Sequence, residues 1–169
     1  MSEEKEENKK LEVEPVQCVW GLICSMSVTD KESNNISLFN IVEQFNLPED
    51  AFNTQKKENK TLIFPAQYEI MLFFRRTLDV SIFGDQISGD LKIKTVDPQE
   101  KIIQETTSSI VFQKAIKRMR FRVVMAGLSF TIPGNYIHQI EMKLAAKDDF
   151  KKVWEIPFEI LQKNTKQLF

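Results

Sequence analysis

The segment 18–28 reads Cys18-Val19-Trp20-Gly21-Leu22-Ile23-Cys24-Ser25-Met26-Ser27-Val28. Apolar side chains occupy its even positions, and a period of two places successive side chains on opposite faces of a strand. We therefore expect the even positions from Cys18 to Val28 to share one buried face of a first strand. Outward from this segment, most of the chain alternates in the same way, and almost none of it follows a helical period.

The same alternation predicts further strands, separated by polar turns. The expected strands cover residues 16–28, 36–43, 66–76, 87–96, 101–113, 118–125, 136–145 and 153–160. The first two are expected to form a hairpin. Gly127 lies where the apolar parity changes, which predicts a bulge or a strand end. Pro157 lacks an N–H, so the last strand is expected to be bulged or at an edge there.

Seven or eight short strands define the predicted fold class, which is all-β. Uneven strand lengths without a visible repeat favour an antiparallel β-sandwich over a barrel. The 169 residues suit one domain, expected over residues 16–161. Residues 1–15 are expected to be a disordered charged tail, and residues 162–169 a polar tail. Residues 49–60 are predicted to form the longest loop, with a short helical turn after Pro48 as an alternative.

Charge and cysteine content narrow the class of protein. The net charge of −1 gives no general attraction to nucleic acid or anionic membranes. No apolar run approaches the ~20 residues that span a bilayer, and the acidic start does not resemble a signal peptide, so a cytoplasmic location is expected.

On a straight strand Cys18 and Cys24 would lie ~20 Å apart, too far for a disulfide. They are expected to be buried free thiols.

Two further segments carry a resemblance. The first combines Leu22-Ile23-Cys24 with residues 36–45 and Leu47-Pro48, and the second is residues 130–136, followed by the strand from Trp154 to Ile160. Together these are similar to a family of small uncharacterised bacterial proteins with an immunoglobulin-like β-sandwich. The resemblance spans about residues 18–160. It implies the immunoglobulin-like fold and transfers no activity.

His138 is the one histidine of the chain, and it falls on an apolar strand face between Tyr136 and Ile140. We expect a core histidine that hydrogen-bonds to a neighbour, and the alternative is the general base of a hydrolase. One histidine and two cysteines on a single strand do not form a zinc ligand set. No catalytic residue, cofactor or metal site is predicted.

Arg118, Arg120 and Arg122 are the candidate ligand-binding residues, because a spacing of two places them on one strand face ~7 Å apart. Such a row could meet successive phosphates. The net charge and the lack of aromatic residues between the arginines favour a solvated face instead, paired with glutamates or protecting a strand edge.

No phosphate-binding loop, dinucleotide fingerprint or nucleophile elbow occurs in the sequence. We therefore expect a non-enzymatic binding or assembly module. Its expected partner is a protein, either a second copy or another chain, and a homodimer through an edge strand is one form of this. A binder of nucleic acid or an anionic ligand through the arginine row is the alternative, and a hydrolase using His138 is the second alternative.

Overall fold

The computed structural model describes residues 14–58, 61–77, 86–114, 116–145 and 149–163, with the backbone alone for residues 54–58. Strands dominate this part of the chain, and no helix in it is long and apolar enough to cross a membrane. The elements are β1 (Val16–Thr29), β2 (Ile36–Ile41), β3 (Gln44–Pro48), α1 (Glu49–Glu58), β4 (Leu62–Phe64), β5 (Tyr68–Arg76), β6 (Ile87–Val96), β7 (Ile102–Phe112), β8 (Arg118–Met125), β9 (Leu128–Phe130), β10 (Gly134–Leu144) and β11 (Lys151–Lys163).

Two large sheets hold most of these strands. Sheet A has the order β2-β1-β5-β8, and sheet B has the order β3-β11-β10-β6-β7. All pairs are antiparallel except β3 with β11, which run parallel. The short strands β4 and β9 pair separately. The predicted all-β class is confirmed.

Aromatic side chains connect the two sheets across a common core. Tyr68 of β5 stacks on His138 of β10, with ring centroids 5.9 Å apart. Phe74 of β5 meets Phe112 of β7 edge to face at 6.0 Å. These rings are almost completely excluded from solvent. One apolar face of each sheet therefore supplies the core, as the alternating sequence requires.

Helix α1 occupies the segment that the sequence predicts as the longest loop, so that prediction is wrong. Glu49 and Asp50 lie in its first turn, where negative charge is favourable at the positive end of the helix dipole. Phe52 is 1% exposed and meets Phe130 edge to face at 5.3 Å. A single buried aromatic ring therefore attaches a mostly polar helix to the domain, which explains why the polar composition suggested a loop.

A β-bulge at Val19 corrects the predicted face of the first strand. Cys18 pairs with Phe74 and Trp20 with Phe73, so Val19 is an extra residue in β1. The bulge reverses the alternation. Cys18 consequently faces the core between the sheets, whereas Cys24 lies on the other face of sheet A. Both are buried free thiols, as predicted.

The ends of the domain also differ from prediction. Glu14 and Pro15 are not part of a free tail, because their carbonyl oxygens accept hydrogen bonds from Thr77. Gln162 and Lys163 continue β11 instead of starting a polar tail. The rest of both predicted tails, residues 1–13 and 164–169, lies outside the described residues. Pro157 pairs with β10, whereas β3 joins the other side of β11 only from Glu159 onward, so the proline has the predicted edge position.

Hydrogen bonds of the Tyr136 hydroxyl stabilise the turn that precedes β10. Its hydroxyl oxygen accepts the backbone N–H groups of Thr131 at 3.0 Å and Ile132 at 3.1 Å, and the hydroxyl donates to the carbonyl of Ile132. The Thr131 hydroxyl donates to Asp97 at 2.8 Å. The other oxygen of Asp97 accepts the N–H groups of the β6–β7 turn. Two turns are therefore tied together by one buried network.

Tyr136→Phe should lower the free energy of unfolding by about 2 kcal/mol, because three backbone polar groups lose a buried partner. Urea denaturation followed by tryptophan fluorescence measures the change. Tyr68→Phe is the matched control, since that hydroxyl approaches only one ring nitrogen, at 3.3 Å. Equal losses in the two variants would contradict the special role of Tyr136.

Candidate interaction surfaces

His138 is completely buried, and both of its ring nitrogens are in contact with polar groups. Nδ1 lies 3.1 Å from the Thr95 hydroxyl, and Nε2 lies 3.3 Å from the Tyr68 hydroxyl. Burial lowers the pKa of His138 to about 3, because a charged imidazole would lose its hydration. The ring is neutral at pH 7 and has no exposed atom with which a general base could reach a substrate.

The two thiols are as inaccessible as the imidazole. Burial raises the pKa of Cys18 to about 12, and burial together with the Glu69 carboxylate raises the pKa of Cys24. Both thiols are therefore protonated at pH 7 and poor nucleophiles. Among the described residues, no group of three or more histidine, cysteine or acidic side chains is arranged to hold a metal ion.

β1 and β2 are strands of sheet A, but beyond Cys24 β1 no longer pairs with β5. This end of the hairpin reaches across the outer face of the sheet, the face directed away from the core. The Ser27 hydroxyl donates to the carboxylate of Glu69 on β5. At the hairpin tip, Asn34 accepts hydrogen bonds from Arg120 on β8, two strands away from β1. Met71 is on this outer face and is nevertheless only 2% exposed. The hairpin therefore covers the half of the outer face that contains Glu69 and Met71.

The three candidate ligand-binding arginines, for which the sequence favours a solvated face, have three different environments on β8. Arg122 is 3.7 Å from the buried carboxylate of Glu69. Arg120 donates to Asn34 at 2.7 Å. Arg118 is exposed and has no hydrogen bond or ion pair within the described residues. The structure therefore separates Arg122 from the other two.

Aromatic residues lie beside Arg118 and Arg120, which the sequence did not predict. Trp20 pairs with Phe73, and Phe73 pairs with Arg120, so the three form one row across sheet A. The two rings are stacked with centroids 5.5 Å apart and are partly exposed. In the next row on this face, Arg75 pairs with Arg118. We call Trp20, Phe73, Arg75, Arg118 and Arg120 the basic aromatic surface.

β7 is the second candidate surface, because among the described strands it forms an edge of sheet B and pairs with β6 alone. It is 11 residues long and contains no proline, glycine or lysine, the residues that commonly protect edges. Its one charged residue is Glu105, 3.3 Å from Lys92. The remaining exposed side chains near its centre are small and polar. By contrast, β8 at the edge of sheet A carries three arginines.

An unsatisfied acceptor lies at the same edge. The side-chain oxygen Oε1 of Gln104 is buried and has no hydrogen-bond partner among the described residues. A cleft of about 350 Å³ adjoins it, lined in part by Ile63, Thr106 and Val124. Buried acceptors normally have a hydrogen-bond partner. The Gln104 side-chain oxygen is therefore available to accept a hydrogen bond from a donor that binds at this part of β7.

Sequence reasoning found the arginines but missed the rings and the β7 edge. Neither Trp20 nor Phe73 is near Arg120 in the sequence, and strand order alone brings them together. The sequence did contain one relevant signal, the alternation of residues in β5, which predicts that Phe73 and Arg75 lie on the same face of the strand. The edge position of β7 has no sequence signal apart from its lack of protecting residues.

Comparison with known proteins does not assign the chain, or these surfaces, to a protein family. No protein-family model matches the chain, and no curated protein matches it. Among solved structures, the Pseudomonas fluorescens alkylpurine DNA glycosylase AlkC, bound to DNA containing an abasic site analog, is similar with a TM-score of 0.44 and 8% sequence identity. The similarity covers 87% of this chain and 30% of that protein. A likeness of this size supports neither a shared topology nor a shared activity.

Proposed function

We propose that the domain is an immunoglobulin-like sandwich, the fold that the family resemblance implies. The order β1-β5-β8 corresponds to strands A, B and E of that fold, and β11-β10-β6-β7 corresponds to G, F, C and C′. Tyr136, near the start of β10, supports this assignment, because immunoglobulin-like domains use a tyrosine at the start of strand F to bond back to the preceding backbone.

His138 supports the same assignment. Antibody domains place a cysteine two residues after that tyrosine, and it forms a disulfide with strand B. Here His138 has this position, and it contacts Tyr68 on the strand that corresponds to B. An inter-sheet hydrogen bond with ring stacking thus stands where the disulfide would be. The proposed membership of the bacterial family and the cytoplasmic location stay predictions.

For function, we propose a non-enzymatic assembly module that pairs with a second copy of itself through β7. The unprotected edge of β7 is the observation that carries this proposal. An unpaired strand edge offers backbone N–H and C=O groups to another chain. Two copies paired in this way would join their five-stranded sheets into one continuous sheet.

Thr107 defines the register of the proposed pair. It is the midpoint of Ile102–Phe112, so only a twofold axis through Thr107 lets all residues of both strands pair. In this register Thr107 faces Thr107 of the second copy. Glu105 faces Ser109, which avoids a contact between like charges. The pair is therefore self-complementary along its whole length.

Thr107→Cys should give a disulfide-linked dimer under mild oxidation, because directly opposed residues place their Cα atoms about 4.5–5.5 Å apart. The native thiols are buried and do not interfere. Ser109→Cys is the matched control, since two such thiols would be offset by ~13 Å along the strands. A non-reducing gel and mass spectrometry measure the product. Cross-linking of both variants to the same extent would show random collision.

Wild-type chain should sediment as a concentration-dependent dimer, and Thr107→Lys should be monomeric because two lysines would oppose each other. Thr29→Lys, an exposed threonine outside β7, should leave the dimer unchanged. Wild type that stays monomeric up to about 1 mM, a concentration at which even weak pairs associate, would overturn self-pairing.

A further inference from the structure

Arg75 and Arg118 form a pair of like charges in direct register, and no carboxylate among the described residues forms an ion pair with either of them. Arg75 donates to the neutral side-chain oxygen of Gln17 at 2.8 and 3.1 Å, which leaves its charge unbalanced. Arg118 has no partner within the described residues. Like charges directly opposite each other on a sheet are destabilising. The arrangement is therefore one that a bound anion would stabilise.

Arg120 adds a third cation one row away, and its bonds to Asn34 use a single terminal nitrogen, Nη2. Its remaining side-chain N–H groups have no acceptor among the residues that the structure describes, so they can donate to a ligand. The buried carboxylate of Glu69, on the neighbouring strand β5, is already engaged by Arg122 and Ser27. Three arginines therefore lie in adjacent rows of one face of sheet A, with no free carboxylate beside them in the described part of the chain, and guanidinium forks match phosphate oxygens.

The stacked rings of Trp20 and Phe73 distinguish this surface from a general anion site. They lie next to Arg120 in the same row and ~7 Å from the Arg75–Arg118 row. Exposed rings stack on bases, and arginines beside them bind the phosphates, which is the usual combination for single strands. The sequence disfavours nucleic acid on two grounds, the net charge of −1 and the lack of aromatic residues between the arginines. The pairing of β1, β5 and β8 removes the second ground, because it places Trp20 and Phe73 in the row of Arg120.

We propose that the basic aromatic surface binds single-stranded nucleic acid. The phosphates contact Arg75, Arg118 and Arg120, and a base extends the stack of the partly exposed Trp20 and Phe73 rings. The hairpin tip at Asn34 bounds the surface on one side and limits the site to a few nucleotides. This site is on sheet A, so it is independent of the β7 edge on sheet B.

The test is the binding of a fluorescein-labelled oligothymidine, followed by fluorescence anisotropy at about 50 mM salt, where screening is weak. Arg75→Gln with Arg118→Gln should weaken binding at least tenfold and reduce the slope of log affinity against log salt by about 1.4, since each phosphate contact to a single strand contributes about 0.7. Lys101→Gln with Lys163→Gln, two exposed lysines elsewhere, is the charge-matched control and should reduce affinity less than twofold. Equal weakening by both pairs, or no binding by wild type, would overturn the proposal.

Phe73→Leu separates stacking from charge. It should weaken oligothymidine binding about tenfold and leave the binding of inorganic polyphosphate unchanged. Circular dichroism establishes that each variant is folded. If wild type binds polyphosphate as tightly as oligothymidine and Phe73→Leu affects neither, the surface is an anion site without base recognition, and the proposal fails.

Discussion

Acidification from pH 7 to pH 4 should destabilise the folded chain by about 3 kcal/mol through His138 alone. Burial lowers the pKa of His138 to about 3 in the folded state, whereas an unfolded histidine titrates near 6.5. Below pH 6.5 the unfolded chain binds a proton that the folded chain does not bind. The free energy of unfolding therefore falls by about 1.4 kcal/mol for each pH unit between about 6 and 4.

The matched variant is His138→Gln, whose amide has a donor and an acceptor for Thr95 and Tyr68 but no titration. Acidic residues contribute equally to the pH dependence of both proteins. Urea denaturation at pH 7, 6, 5 and 4 should thus give a steeper loss for wild type, by about 1.4 kcal/mol per pH unit. Parallel curves for the two proteins would mean that the imidazole is protonated in the folded state.

Trp154→Ala should lower the free energy of unfolding by about 3 kcal/mol, because it removes a large ring at the contact between the two sheets. Trp154 of β11 alternates in phase with the buried residues Ile156, Phe158 and Ile160. Its indole N–H donates to the carbonyl of Gly21 on β1 at 3.3 Å. The Trp154 ring is partly buried and not fully enclosed. The expected loss of unfolding free energy therefore lies at the low end of the range for replacing a core tryptophan by alanine.

Trp20→Ala is the control for Trp154→Ala, since it deletes the same side chain from the outer face of sheet A. It should cost about 1.5 kcal/mol or less, mainly through the lost stacking on Phe73. Urea denaturation followed by circular dichroism compares the two variants. A larger loss for Trp20→Ala would place the main tryptophan contact on the outer face.

Local alternation predicted the fold class and most strands because it depends on neighbouring residues alone. β6 and β8 have the predicted bounds, and their buried side chains follow the predicted parity. Local alternation does not determine which strands distant in sequence pair with each other. The bulge at Val19 shows the limit, because one extra residue reverses the face of Cys18 relative to Cys24 without changing the pattern of the sequence.

The candidate surfaces were less predictable than the fold for the same reason. Arg118, Arg120 and Arg122 are identical in sequence pattern, and they differ only through partners on other elements. Glu69, which engages Arg122, and Asn34, which engages Arg120, are far away in the chain. Phe52 illustrates a different error. The polar composition of residues 49–60 predicted a loop, but the buried ring of Phe52 packs this segment against the domain as a helix.

The parallel pairing of β3 with β11 has a consequence for how the chain acquires its structure during synthesis. Within the described strands, residues 44–48 pair with residues 159–163 alone. A growing chain can complete the β1–β2 hairpin early, but β3 must wait until almost the whole domain has left the ribosome. Closing so long a loop is slow, and synthesis proceeds from the N-terminus. Among the described strand pairs, Gln44–Pro48 therefore waits longest for its partner in the same chain.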